Sequence, residues 1–150
     1  MPHSYVSSFF HCVFSTKERE ANISVDLQER LWPYIGGIAK ENKMKAIAIG
    51  GTRDHLHVLL SLPSTLAIAK VIQLIKGASS KWVHETFPSR QLFSWQEGYG
   101  AFSIGISQLQ ETIAYIQSQD VHHRRVTFQE EFMAFLKKHG MEYDERYVWG

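Results

Sequence analysis

The sequence predicts an α+β sandwich: a four-stranded antiparallel sheet with helices packed on one face, followed by further C-terminal helices. Three observations predict it. The apolar periodicity switches along the chain in the order β, α, β, β, α, β, α, α. The first six of these elements fall into two βαβ halves, the pattern of a split βαβ sheet. The chain has 150 residues, 44% apolar and 21% charged, which is long enough to bury one core without a disulfide or a structural metal. No repeat, low-complexity tract or long Pro/Gly/Ser linker divides it, so a single domain over 1–150 is expected.

Tyr5 to Phe14 is rich in aromatic and β-branched residues and reads as the first strand, followed by a charged turn from Thr16 to Glu20. Leu27, Leu31, Ile35 and Ile38 recur at helical spacing and predict a helix over about Asp26 to Asn42, despite Pro33 and the pair Gly36-Gly37. Met44 to Ile49 and His55 to Leu62 read as a hairpin joined through Gly50, Gly51 and Asp54. From Leu66 to Phe87, Ile68, Val71, Ile72, Ile75, Trp82 and Val83 share one arc of a helix, while Lys70, Gln73, Gly77, Lys81 and His84 form the opposite, partly basic arc. Phe102, Ile104 and Ile106 alternate with small residues as a fourth strand. A capping box of Ser107 with Gln110 then opens a helix to about Gln119, and a second box, Thr127 with Glu130, opens a last helix that Gly140 stops. The architecture is that of a ferredoxin-like, or RRM-like, split βαβ sandwich whose C-terminal helices carry Tyr115.

Composition narrows the function. Sixteen Lys and Arg against fifteen Asp and Glu leave a net charge of +1, which excludes a uniformly basic, sequence-blind coat for nucleic acid and leaves room for a localised patch. Cys12 is the only cysteine, so an intrachain disulfide and a zinc finger are excluded and a reducing, cytoplasmic home is favoured. No run of apolar residues is long enough to span a bilayer, and the first residues lack the order of a signal peptide. No membrane partner is expected.

Chemistry is suggested first by Asp54-His55-Leu56-His57-Val58-Leu59-Leu60. Side chains alternate along a strand, so Leu56, Val58, Leu60 and Leu62 form one apolar side and His55 and His57 stand together on the other, where two imidazoles can share a metal ion. On the later helix, Tyr115 shares a face with Gln108, Glu111, Gln119 and His122, apart from Leu109, Ile113 and Ile116. Each feature also has an ordinary reading. Paired strand histidines are commonly structural, and a helix tyrosine commonly packs its ring and leaves its hydroxyl in water. Together, two imidazole nitrogens and the Gln119 oxygen would make a three-ligand site with open positions. A divalent cation there could polarise a phosphate and favour the phenolate of Tyr115, which invites phosphoryl transfer to tyrosine.

His55-Leu56-His57 on a strand, with a helical Tyr115 and Gln119 some distance on, resembles the single-tyrosine HUH transposases of very small bacterial insertion sequences, the TnpA type. The resemblance spans nearly the whole chain, from Phe9-Phe10-His11-Cys12-Val13-Phe14 through Gly50-Gly51, Asp54 to Leu62, Trp95-Gln96 and Gln119 to His123. It implies that His55, His57 and Gln119 bind Mg²⁺ or Mn²⁺ and that Tyr115 is the nucleophile. It implies cleavage and rejoining of single-stranded DNA at hairpin-flanked element ends through a 5′-phosphotyrosine. It also implies a homodimer in which the tyrosine helix of one subunit completes the metal site of the other. No Walker-type motif is present and no nucleotide cofactor is expected.

Phosphate contacts would come from Lys70 and Lys81 on the outer face of the long helix and from Arg124 and Arg125 after His122-His123. A solvated helix face is the commoner explanation of such lysines. His11 and His84 read as structural or surface residues. Tyr143, Tyr147 and Trp149 could stack on bases, on a partner subunit or on the domain itself. Two alternatives stay open: a domesticated, repeat-associated tyrosine transposase and, from another class, a non-catalytic single-stranded nucleic-acid binder on the same kind of sheet.

Overall fold

A computed structural model of the chain describes residues 3–119 and 126–150. The elements follow in the predicted order: β1 (Phe9–Ser15), α1 (Val25–Glu41), β2 (Lys45–Gly51), β3 (His55–Ser61), α2 (Ile68–Thr86), β4 (Gly100–Ile104), α3 (Leu109–Gln117) and α4 (Phe128–Lys138). The four strands form one sheet in the order β2-β3-β1-β4, and every neighbouring pair is antiparallel. This is the split βαβ arrangement, with β1 and β3 at its centre.

The β1/β3 register positions the site. Val13 stands opposite His57, Ser15 opposite His55, and His11 opposite Leu59. Paired residues point to the same side of a sheet, so His11, Val13, Ser15, His55, His57 and Leu59 share one face, and Cys12, Phe14, Leu56, Val58 and Leu60 the other. The second face is covered by α1, through Leu27, Leu31, Ile35 and Ile38, and by α2, through Val71, Ile72, Ile75 and Val83. α1 runs unbroken through Pro33. The proline lies on the exposed side, where water can hydrate the carbonyl that loses its donor.

The first face is not left to solvent. On it α3 sets Ile116 against Ala48 and Leu59, and α4 sets Phe128, Phe132 and Leu136 against Val13 and Phe102. The approach of α3 needs a glycine: a Cβ at Gly50 would lie 2.4 Å from the Ile116 carbonyl oxygen. Because both faces are covered, His55 through Leu60 are all buried.

Three boundaries differ from expectation. β1 begins at Phe9 rather than Tyr5, which is 96% exposed. β4 ends at Ile104, and Ile106 lies 68% exposed in a short 3-10 turn. The cap before α3 falls earlier than the Ser107 and Gln110 box, because the Gln108 side chain reaches back to accept from the Gly105 N–H at 3.0 Å. The second box forms as expected, with Thr127 Oγ1 accepting from the Glu130 N–H at 3.2 Å, and Gly140 ends α4 with φ +62°.

Candidate active site between the sheet and the last two helices

His55 and His57 are both fully buried on the sheet face beneath α3 and α4. Their outer nitrogens are aimed by neighbours. His55 Nδ1 lies 2.7 Å from Asp54 Oδ1 and 2.9 Å from Thr52 Oγ1. His57 Nδ1 lies 2.7 Å from His11 Nε2. Burial first, then the adjacent His57, lowers the His11 pKa from 6.5 to about 3, against the opposing pull of Glu131. A neutral His11 can accept from the Nδ1–H of His57. Both strand histidines can then carry their proton on Nδ1 and turn the Nε2 lone pair inward, as metal-binding imidazoles do when a partner accepts from the other nitrogen.

Two oxygens meet those nitrogens, from Gln119 and Glu131. Gln119 Oε1 is 3.3 Å from His55 Nε2, and its amide is oriented by donation from Nε2 to the Tyr115 carbonyl at 3.1 Å. Glu131 Oε1 is 2.9 Å from His57 Nε2 and 3.7 Å from His55 Nε2. The other carboxylate oxygen of Glu131 accepts from the Tyr115 hydroxyl. His57 and Tyr115 have ring centroids 5.7 Å apart. Burial, followed by the hydrogen bond and the charge of Glu131, pushes the phenol pKa well above its usual range, with the Gln119 bond opposing. In this arrangement the tyrosine is a donor.

The donor set fits a divalent cation. The ligand atoms of His55, His57 and Glu131 all lie within 4.8 Å of one another, and Gln119 adds a neutral oxygen. His55 faces acceptors on both sides, Asp54 at Nδ1 and Gln119 with Glu131 at Nε2. A neutral imidazole has one proton to give, so a cation facing Nε2 would complete the balance. A cavity of about 550 Å³ opens beside the group, bounded by Phe102 and Phe135 as well as Tyr115 and Glu131.

The structure therefore brings together Tyr115, His55, His57 and Gln119, and it does so within one chain. The expectation that a partner's tyrosine helix completes the site is not needed for this geometry. Lys70 and Lys81 are exposed on α2, which covers the opposite face of the sheet, so the structure does not bring them to the histidines; Lys81 pairs with Glu85 at 3.9 Å. Arg124, Arg125, His122 and His123 lie outside the described residues. His84 is structural, its Nε2 bonded to the Phe93 carbonyl at 2.7 Å. Trp95 and Gln96 are structural too: Trp95 Nε1 donates to Ser79 Oγ, and Gln96 Oε1 accepts from the Ser15 N–H. Trp149 packs near Phe128 and Phe132.

Sequence reasoning missed Glu131, and took His11 for a structural or surface residue. A signal for Glu131 existed: it is a carboxylate within the helical stripe Phe128, Phe132 and Phe135, where an apolar residue is expected. For His11 the sequence carries no comparable signal, because its contact depends on strand register.

Fold and site define a class: split βαβ domains that set two strand histidines against a tyrosine on a late helix. Residues 4–119 match the family described as Transposase IS200 like, and the chain belongs to that family. A relative is the ISDra2 transposase TnpA of Deinococcus radiodurans, 24% identical over 73% of this chain and 82% of its own length. The transposase for insertion sequence element IS200 of Salmonella typhimurium is 20% identical over 80% of this chain and 84% of its own. Two solved structures share the fold. A crystal structure assigned as a transposase of D. radiodurans has a TM-score of 0.65 at 22% identity, covering 79% of this chain and 96% of that one. A REP-associated tyrosine transposase bound to a REP hairpin has a TM-score of 0.61 at 16% identity, covering 84% and 74%. No helix among the described residues is long and apolar enough to cross a membrane.

Proposed function

We propose that this chain is a metal-dependent tyrosine transposase that nicks and rejoins single-stranded DNA next to hairpins, with Tyr115 as nucleophile. The observation that carries this reading is the meeting of Tyr115, His55, His57 and Gln119 in one buried site, joined by Glu131. The Tyr115 oxygen attacks the scissile phosphorus, forms a 5′-phosphotyrosine and releases a 3′-hydroxyl, which can later attack such a linkage and rejoin strands. His55, His57, Gln119 and Glu131 would hold Mg²⁺ or Mn²⁺. When bound, that cation supplies Lewis-acid stabilisation of charge on the phosphate oxygens. The protein's own part is to aim the two imidazoles, hold the phenol at their edge and close the histidine side to water with Phe128 and Phe135.

A hairpin as partner is supported by the fold shared with a transposase solved on a REP hairpin. A homodimer belongs to the same reading, as do phosphate contacts from Arg124 and Arg125. Lys70 and Lys81 could touch only DNA that reaches around to the α2 face.

The test is incubation of the full chain and Mn²⁺ with labelled single-stranded DNA carrying the hairpins that flank its gene. A covalent adduct on a denaturing gel is expected, absent for Tyr115→Phe and absent when the metal is chelated. An adduct that persists with Tyr115→Phe would show that the nucleophile lies elsewhere, and hairpin binding without any adduct would favour a plain single-strand binder.

A further inference from the structure

We propose that Glu131 is a catalytic residue of strand cleavage, the acceptor of the Tyr115 proton. This rests on the tyrosine-transposase reading and adds to it a residue outside the segment 4–119 that matches the family.

Glu131 is 3% exposed and stands among the phenylalanines with which α4 grips the sheet. A carboxylate there costs desolvation, and it is tolerable only where specific partners compensate. Those partners are the machinery itself. One oxygen faces the histidine nitrogens, 2.9 Å from His57 Nε2. The other accepts from the Tyr115 hydroxyl. The Phe135 and His11 rings meet the tyrosine ring edge-on, at centroid distances of 5.8 and 6.2 Å, and wall that side of the phenol.

The described neighbours offer no equivalent base. The amide of Gln119 is too weak a base to take a phenol proton. His57 turns its Nε2 to Glu131 and to the place a cation would fill. His11 has its Nε2 against His57. Among the described residues, Glu131 is the one that joins ionic character to a direct bond with the nucleophile.

The step balances as follows. The Tyr115 O–H bond breaks as the phenol oxygen bonds to phosphorus, and the proton passes to the Glu131 carboxylate. The bond from phosphorus to the 3′-oxygen breaks, and that oxygen leaves with the electron pair and takes a proton from water. The hydroxide so formed is neutralised by the proton on Glu131. In rejoining, the attacking 3′-hydroxyl gives its proton to water as its oxygen bonds to phosphorus. Glu131 takes up a proton from that water, and the carboxyl passes it to the Tyr115 oxygen as the phosphorus–tyrosine bond breaks.

The experiment measures single-turnover adduct formation by the full chain on the hairpin DNA over a Mn²⁺ series, for wild type, Glu131→Gln and Glu131→Ala. Glu131→Gln keeps the shape of the side chain and should slow adduct formation by roughly 10² to 10⁴-fold, with hairpin affinity unchanged. Added formate should restore adduct formation by Glu131→Ala in proportion to its concentration. A rate for Glu131→Gln within about threefold of wild type would overturn the proposal, given the size expected of a proton acceptor. So would a loss that vanishes at higher Mn²⁺, since the residue would then act only through the cation. A readout without DNA separates this from the parent reading: the ring-carbon NMR signal of Tyr115 should move on Glu131→Gln. Absence of adduct from wild type itself would overturn the transposase reading, and this step with it, whereas equal adduct from wild type and Glu131→Gln would overturn only the role of Glu131.

Discussion

The two faces of the sheet are built from alternate residues of the same strands, yet they differ in kind. Cys12, Phe14, Leu56, Val58 and Leu60 belong to the apolar core shared with α1 and α2, and burial there pushes the Cys12 thiol up to about 12, so it stays an inert thiol. One residue along in either direction, His11, His55 and His57 meet Glu131, Gln119 and Tyr115. Stability and chemistry are thus separated by a single step of backbone. The helices that cover the second face can be packed for density, while those that cover the first must bring polar groups into register with three imidazoles.

That contrast is broken most sharply by changing neighbours on β3. If His57 holds the cation as proposed, His57→Ala should lower adduct formation by on the order of 10³-fold or more, because it removes that nitrogen and the anchor of Glu131. The protein should still melt cooperatively and bind hairpin DNA. Leu60→Ala removes a fully buried side chain on the opposite face and should cost about 2–5 kcal/mol of folding free energy, read by urea denaturation. Its folded fraction should cleave at nearly the wild-type rate. If Leu60→Ala silenced the folded enzyme, or His57→Ala chiefly unfolded it, the division between faces would fail.

Acid should expose the same contrast. The folded protein holds His11 neutral down to about 3, while the unfolded chain takes up that proton near 6.5. The unfolded state therefore binds more protons between these values. The contribution of His11 is whole above pH 6.5 and is lost as pH falls toward 3, by roughly 1.4 kcal/mol per pH unit. His11→Asn, which keeps an acceptor for His57, should remove that slope from urea denaturation followed from pH 7 to 4. An unchanged slope would mean that His11 is not held neutral by the fold.

How much of this was legible in the sequence depends on the range of the interaction. The element order was legible because period-2 and helical patterns are local. The shared face of His55 and His57 followed from alternation, and the neighbourhood of Tyr115 and Gln119 from one helical turn. The crossing of Lys70 and Lys81 to the far side was also implicit: α2 must cover the apolar face, so its basic arc turns away from the imidazoles. Glu131 and His11 were not recognised, since one depends on how α4 docks and the other on the pairing of Val13 with His57. Their contacts are consequences of tertiary register, and the sequence holds only one local hint, the carboxylate of Glu131 within the stripe of Phe128, Phe132 and Phe135. Asp54 adjoins His55, but its role emerges only when Thr52 folds the turn so that both oxygens meet Nδ1.

Gly50→Ala sharpens the comparison at the seam where α3 meets the sheet. Its methyl would press on the Ile116 carbonyl, and α3 carries both the phenol and, just beyond its end, the Gln119 amide. Overpacking of this kind costs about 1–3 kcal/mol, and the displaced helix should also slow adduct formation more than hairpin binding. Loss of stability without loss of rate would show that α3 can shift without disturbing the proposed role of Tyr115.

The smallest effect is expected on the outer surface of α2. Lys81 and Glu85 are largely exposed, 3.9 Å apart, and an exposed pair contributes little because water and salt screen it. Lys81→Ala should therefore change stability by less than about 0.5 kcal/mol. Its effect on DNA is the informative part. If hairpin DNA stays on the imidazole face, the variant should bind and cleave as wild type does, with the same dependence of affinity on salt. If DNA wraps to α2, affinity should fall and the salt dependence should weaken by roughly one counterion. A salt titration of hairpin binding thus decides whether the far face only supports the site or also takes part in holding the substrate.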